Sequence, residues 1–324
     1  MMFMKAIDLH CDTITRIDGT PENSLFQNHL QIDLQKMKES GTILQNFAIY
    51  LDKATTPNLY DSCHHYIDLY ERELKKNREH IAPVLSYQDY LTNQEHGKLS
   101  SLLTMEEGAP LEGRIDYLEE FYQRGVRMLT LTWNYQNELG YPNSLFVEEK
   151  SGLLSTYQKG LTPVGIDIIQ RMNQLGMIID VSHGSDQLVN DVLTYTDRPF
   201  VASHSNAREV TYHSRNLPDD LIKAISERGG IIGLNYCENF LRKPNDTQPL
   251  VHAIACHAKH LKQVGGIECI ALGSDFDGIP VNEELKDIRS ITKIAQALSQ
   301  AGFSTTEIEK IFYQNVERLY KELL

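Results

Sequence analysis

The chain has 324 residues, with 31 Lys+Arg against 44 Asp+Glu and a formal net charge of −13. Its 41% hydrophobic and 23% charged residues form an ordinary globular composition with material for a large core, which excludes global disorder. The acidic balance speaks against nucleic acid or an anionic membrane as partner, because both call for a basic face, and no apolar run is long enough to span a bilayer.

The opening MMFMKAIDLHCD is apolar only briefly and carries no cleavage site, so a signal peptide is not expected. A first strand is expected over Ala6–Asp12 and a second over Ile43–Leu51. The region Asp52–Gln94 holds more than one helical pattern, including Tyr60–Lys76, which decorates the second strand–helix unit. Strands follow at Ser101–Met105 and Arg127–Thr132, separated by a helix over Ile115–Arg124 that stops at Gly125. Asn134–Lys159, with Gly140, Pro142, Asn143 and Gly152, reads as a long loop after the fourth strand, and loops of that length are often functional. Thr162 caps and Pro163 opens a helix that Gly176 ends. Strands at Met177–Val181, Phe200–Ser203, Gly230–Asn235 and Cys269–Gly273 complete a set of eight. A helix between Pro218 and Gly229-Gly230, another over Asp287–Gln300 and a last one over Thr305–Leu324 fill the remaining chain. Short apolar strands alternating with helices predict a parallel sheet buried on both faces. Eight of them, with no linker, predict a closed (β/α)8 TIM-type barrel with an extra C-terminal helix, one domain over residues 1–324. An open doubly wound sheet is the alternative, but no GxGxxG follows the first strand. The five cysteines (Cys11, Cys63, Cys237, Cys256 and Cys269) are scattered and lack a CxxC, which suits a reducing compartment; a cytoplasmic location is the expectation.

The polar residues sit in an informative place. The first strand ends His10-Cys11-Asp12, the third runs into Glu106, the fifth and sixth into His183 and His204, and the eighth into Asp275. His10 and Asp12 are two apart and share one side of a strand. Taken singly, each residue has an ordinary structural account: a buried, satisfied histidine, a solvated glutamate, or a turn aspartate such as Asp277. In a barrel, however, C-terminal strand ends converge on one mouth, where active sites are built. Carboxylates gathered there without counter-charge are costly, and metal cations remove that cost.

The stretches DLHCDT (8–13), LTMEEG (103–108), GVRMLTLT (125–132), GMIIDVSH (176–183), SHSNAREVTYHSRNLPDD (203–220) and GSDFDG (273–278) together resemble the membrane (renal) dipeptidases, zinc metallopeptidases with an amidohydrolase-like barrel. They occur in the family's order and span most of the chain. The resemblance implies two divalent metal ions, Zn2+ foremost, with His10 and Asp12 on one, His183 and His204 on the other, and Glu106 bridging them. It implies hydrolysis of the peptide bond of a dipeptide by a hydroxide shared between the metals. Whether a D-residue is accepted at the C-terminal position is left open. Arg215 matches the position that grips the substrate carboxylate, and Asp275 the one that moves the proton from the attacking water to the leaving amine. Many relatives place a His directly after LTLT; here Trp133-Asn134 follows Thr132, so Trp133 either donates its indole N–H to substrate or only packs, and Asn134 or Asn137 can donate instead, with altered preference rather than lost activity as the expectation. Asn235 and Tyr236 end the seventh strand, face the mouth and read equally as substrate contacts or as packing. His257 and His260, and likewise His64 and His65, fall on helices away from the mouth and are expected on solvated faces. Dimers are common in the family, so a homodimer is a state it allows.

Two rivals differ in kind. Another barrel amidohydrolase would act on a cyclic amide, lactone or N-acyl substrate, but such sites commonly have H-x-H in the first strand, where this chain has H-x-D. A non-catalytic metal-binding protein would be expected to have lost a ligand, and none is missing.

Overall fold

The computed structural model describes residues 4–144, 147–148, 154–155, 159–243 and 245–324. Its strands are β1 (Ala6–Cys11), β2 (Thr42–Tyr50), β3 (Ile81–Pro83), β4 (Leu99–Glu106), β5 (Val126–Thr130), β6 (Val147–Glu148), β7 (Leu154–Ser155), β8 (Ile178–Asp180), β9 (Val201–Ala202), β10 (Ile231–Leu234) and β11 (Ile270–Leu272). Nine of them form one sheet in the order β2-β1-β11-β10-β9-β8-β5-β4-β3, all parallel. An additional pairing of β2 with β4, from Leu44↔Ser100 to Tyr50↔Glu106, closes eight of the nine into a barrel. Each of the eight expected strands corresponds to one of these. β3 is the ninth: it pairs with residues 99–101 of β4, below the point where β5 begins pairing at Leu103. Its three residues, Ile-Ala-Pro, are too few to show a period in sequence.

Helices connect the strands. Thr162 accepts the Gly165 N–H at 3.0 Å, and Gly176, at φ 77°, ends Pro163–Leu175 as expected. Asp52–Gln94 resolves into Leu59–Lys76 and Tyr87–Glu95, on either side of β3. The antiparallel pair β6–β7 belongs to the loop expected over 134–159; most of 145–158, including Gly152, lies outside the described residues.

The barrel interior is filled by one buried cluster to which all eight strands contribute, among them Leu9, Leu44, Leu102, Met128, Ile178, Val201, Ile231 and Ala271. Val316, Leu319, Tyr320 and Leu323 of the final helix, Asn315–Leu323, join the same cluster. These strand residues precede the polar strand ends, so the C-terminal helix plugs the bottom of the barrel and leaves the opposite mouth to the polar groups. Among the described residues, no helix is long and apolar enough to cross a membrane.

Candidate active site

At the mouth, β1 delivers His10 and, just past its end, Asp12; β4 ends on Glu106. His183 follows β8 by three residues and His204 follows β9 by two. Asp275 comes three residues after β11. Two of these positions need unusual backbone. His183 and Asp275 adopt φ of 66° and 62°, a left-handed conformation that costs a non-glycine residue energy and tends to mark functional turns.

All six side chains are buried, and the three histidines converge on Glu106. His10 Nε2 lies 3.2 Å from Glu106 Oε2, while His183 Nε2 and His204 Nε2 lie 3.1 and 3.4 Å from Glu106 Oε1. The two histidine Nε2 atoms are 3.0 Å apart. On the other side, His10 Nε2 is 3.8 Å from Asp12 Oδ1 and 3.9 Å from Asp275 Oδ1. His10, Asp12 and Asp275 therefore form one group with ligand atoms within 4.8 Å of each other, and His10, Glu106 and His204 form another. His10 is common to both groups, and Glu106 turns one oxygen to it and the other to His183 and His204. Asp275 comes as near to His10 as Asp12 does, closer in than the resemblance implied.

The electrostatics show what this arrangement demands. Burial alone would depress the His10 pKa, but Glu106, Asp12 and Asp275 together raise it to about 10. Burial and then the Glu106 charge hold Asp12 well above the usual carboxylate range, and they push Asp275 up to about 6. Burial followed by the Arg215 charge brings His183 down to about 4, and burial followed by His10 holds His204 well below its ordinary value. Two neutral imidazoles thus aim at a place where carboxylates call for positive charge. Asp12 Oδ1 is buried with no hydrogen-bond partner. Nitrogen and carboxylate donors of this kind suit zinc or a similar divalent ion, so the residues fit the metal pair that the resemblance implied.

The ligand candidates are themselves held. Asn134 Oδ1 faces His183 Nδ1 at 2.9 Å, so its carbonyl orients that ring. Ser203 Oγ faces His204 Nδ1 at 2.8 Å. Asn235 Nδ2 donates to Asp275 Oδ2 at 2.9 Å. Of the pair ending β10, Asn235 therefore reaches the site, whereas Tyr236 buries its ring edge-on against Phe276. Asn137 is not free to meet substrate. Its Nδ2 donates to Glu107 and to the Leu131 carbonyl, and its Oδ1 accepts from Leu139 and Gly140, because the loop needs its own backbone groups satisfied. Sequence reading passed over Glu107. It is buried at φ 109° and accepts the Ala109 and Trp133 N–H groups, which ties the β5 exit to the β4 exit.

A cavity of about 260 Å³ opens onto this cluster, with Tyr50, Trp133, Asn134 and Phe240 among its walls. Trp133 packs against Tyr50, with ring centroids 4.9 Å apart. Arg215 is 5% exposed and lies near Phe240; its Nη2 donates to the His204 carbonyl at 3.1 Å, while Nε and Nη1 are buried without a partner. A buried guanidinium with unmet donors can take a carboxylate.

The membrane dipeptidase (peptidase family M19) family model matches residues 1–323. The chain belongs to the membrane dipeptidase family. It is 30% identical to an uncharacterized dipeptidase of Schizosaccharomyces pombe, over 98% of this chain and 80% of that protein. It is 28% identical to the dipeptidase tcpJ of Claviceps purpurea, over 90% and 69%. Among solved structures, a metallopeptidase from Rhodobacter sphaeroides liganded with a phosphinate mimic of L-Ala-D-Ala superposes with a TM-score of 0.89 at 23% identity, covering 99% of this chain and 100% of the other. Another metallopeptidase, dipeptidase AC, superposes at 0.88 with 24% identity, covering 99% and 98%. These likenesses establish the TIM-type barrel. As a membrane dipeptidase family member the protein is a metal-dependent peptidase, and the clusters around Glu106 are candidate ligands.

The remaining histidines lie elsewhere. His257 is fully buried, contrary to the expected solvated face: its Nδ1 accepts the Ala207 N–H and its Nε2 meets the Leu241 carbonyl. It pins the segment after β9 to the helix Leu250–Gly265, a tertiary role that helix periodicity does not reveal. His260 pairs with Asp219 and His64 with Glu120, both on the outside of the barrel.

Proposed function

We propose that the protein hydrolyses dipeptides with two divalent cations, zinc foremost, held by His10, Asp12, Glu106, His183 and His204. The observation that carries this reading is the convergence of three imidazoles on the two oxygens of Glu106, with Asp12 and Asp275 beside them and the unmet Nε and Nη1 of Arg215 close by. When bound, the metal pair supplies an activated water and polarises the scissile carbonyl.

The chain's own residues do the rest. Arg215 takes the substrate's C-terminal carboxylate with its guanidinium, whose Nε and Nη1 have no protein partner, which fixes the register of the peptide bond and limits the substrate to one residue beyond it. Asp275, anchored through Oδ2 by Asn235, keeps Oδ1 toward the cluster, where it takes the proton of the attacking water and returns it to the departing amine. Trp133 and Tyr50 form an aromatic wall for a substrate side chain, and a cavity of about 260 Å³ suits a small substrate. The structure with the phosphinate mimic of L-Ala-D-Ala supports including dipeptides with a C-terminal D-residue. The scattered, unpaired cysteines support a cytoplasmic setting.

The test is a kinetic panel of L,L and L,D dipeptides, their C-terminal amides and cyclic amides, run on protein of known metal content. Hydrolysis of dipeptides with two metals per chain, and little of the amides, is expected. Preference for the cyclic amides, or full activity without metal, refutes the proposal.

A further inference from the structure

Asp180, the last residue of β8, is fully buried, and its carboxylate accepts four hydrogen bonds. Oδ1 takes the backbone N–H groups of Ser182 and Ser203 at 2.9 and 2.8 Å. Oδ2 takes the hydroxyls of Thr130 and Ser203, both at 2.6 Å. The Ser203 hydroxyl has only one proton, and it points at Asp180. Toward His204 Nδ1, 2.8 Å away, it therefore offers a lone pair. The ring proton of His204 then belongs on Nδ1, and Nε2 keeps its lone pair toward Glu106 and the His183 Nε2.

We infer that Asp180 is a positioning residue which, acting through Ser203, sets the tautomer and aim of His204 for cation binding. The inference rests on the metal-centre part of the function proposed above. His183 offers the internal contrast, since its Nδ1 meets the amide oxygen of Asn134 directly. Outer partners of ligand histidines generally matter about 10–100-fold in metal affinity.

The geometry makes Asp180→Asn an informative change. Two backbone N–H groups converge on Oδ1, so the asparagine oxygen must stay there and its NH2 must replace Oδ2. That NH2 donates to Ser203 Oγ, which turns its own proton toward His204 Nδ1. The ring proton moves to Nε2, and an N–H now stands where a cation needs a lone pair.

Three variants of the full chain, Asp180→Asn, Ser203→Ala and Ser203→Thr, test this against the unaltered protein. The readouts are histidine tautomers by 15N NMR on metal-free protein, Zn2+ affinity by chelator competition, and Tm. The unaltered protein should show His204 protonated on Nδ1. Asp180→Asn should show it on Nε2, with zinc bound about 10–100-fold more weakly. Ser203→Ala should also weaken zinc binding, and Ser203→Thr, which keeps the hydroxyl, should restore it to within a few-fold. An Nε2–H tautomer in the unaltered protein, or an unchanged tautomer and affinity in Asp180→Asn, overturns the inference. If Asp180→Asn does not fold, the Ser203 pair decides: full affinity in Ser203→Ala, or no recovery in Ser203→Thr, overturns it. An unaltered protein that binds no zinc defeats the metal-centre reading, while the tautomer comparison still judges the relay.

Discussion

In the proposed mechanism Arg215 and Asp275 have the clearest separate tasks, and neither is one of the five proposed metal ligands. Arg215→Lys keeps the charge but replaces a planar fork by a point donor, so it cannot hold both carboxylate oxygens in parallel. It is expected to lower kcat/KM for dipeptides by about tenfold or more while leaving the poor rate on C-terminal amides nearly unchanged. Equal losses on both substrates would remove Arg215 from carboxylate binding. Asp275→Asn keeps the shape and the Asn235 contact region but cannot accept a proton. A fall in kcat of about a hundredfold or more is expected, with metal content retained. Asp277, two residues on, is the matched control. It accepts the Thr13 hydroxyl at 2.5 Å and the Gln31 N–H at 2.7 Å, and so ties the loop after β11 to the segment ahead of β2. Asp277→Asn should cost about 1–3 kcal/mol of stability with kcat little changed once folded. Unfolding midpoints and kcat on both variants decide between the roles.

At the scale of elements, the mouth depends on how tightly neighbouring strands approach. Gly233 in β10 and Gly273 after β11 both face the Ser203 carbonyl, and a Cβ on either would stand 1.9 Å from that oxygen. No flexible side chain can yield there, because the obstacle is backbone. The Ser203 carbonyl precedes His204, so displacing it also displaces a metal-ligand candidate. Gly233→Ala should therefore cost about 3 kcal/mol or more and reduce the zinc content of whatever folds. Gly302, at φ 92° with nothing within 4 Å, is the contrast: Gly302→Ala should cost only the left-handed backbone penalty of about 1–2 kcal/mol and leave metal binding intact. Denaturant midpoints and metal analysis on the two variants test whether the close strand approach matters for the site.

Across the whole molecule, the apolar interior and the polar mouth occupy opposite ends of the barrel, which separates what holds the fold from the proposed cation site. Stripping the metals with a chelator should abolish activity and lower Tm by about 5 °C or more, because cation binding stabilises the folded state by mass action and relieves crowding among Glu106, Asp12 and Asp275. The far-ultraviolet circular dichroism at room temperature should not change, since the cluster shared by the eight strands and the C-terminal helix does not involve the site. Zinc should restore both activity and Tm. Chelated protein with unchanged Tm and full activity would contradict a metal centre at the mouth.

The eight barrel strands were legible because buried parallel strands leave short, continuous apolar runs, and the metal-ligand candidates because each sits where such a run stops. Helix ends such as Thr162 and Gly176 were legible for a local reason too: capping and left-handed backbone are properties of a few adjacent residues. Tertiary structure alone decided the rest. β3 is too short to carry a period, and the C-terminal helix became a barrel plug only because the strands closed around its apolar face. His257 was drawn into the interior by two backbone groups far from it in sequence. The step from Asp180 to Ser203 in the relay to His204 and the bond from Asn134 to His183 join residues 23 and 49 positions apart through hydrogen bonds that exist only after neighbouring strands are in register. Periodicity and motif spacing report what one stretch of chain prefers; which donor meets which acceptor across a barrel mouth is set by the geometry of closure.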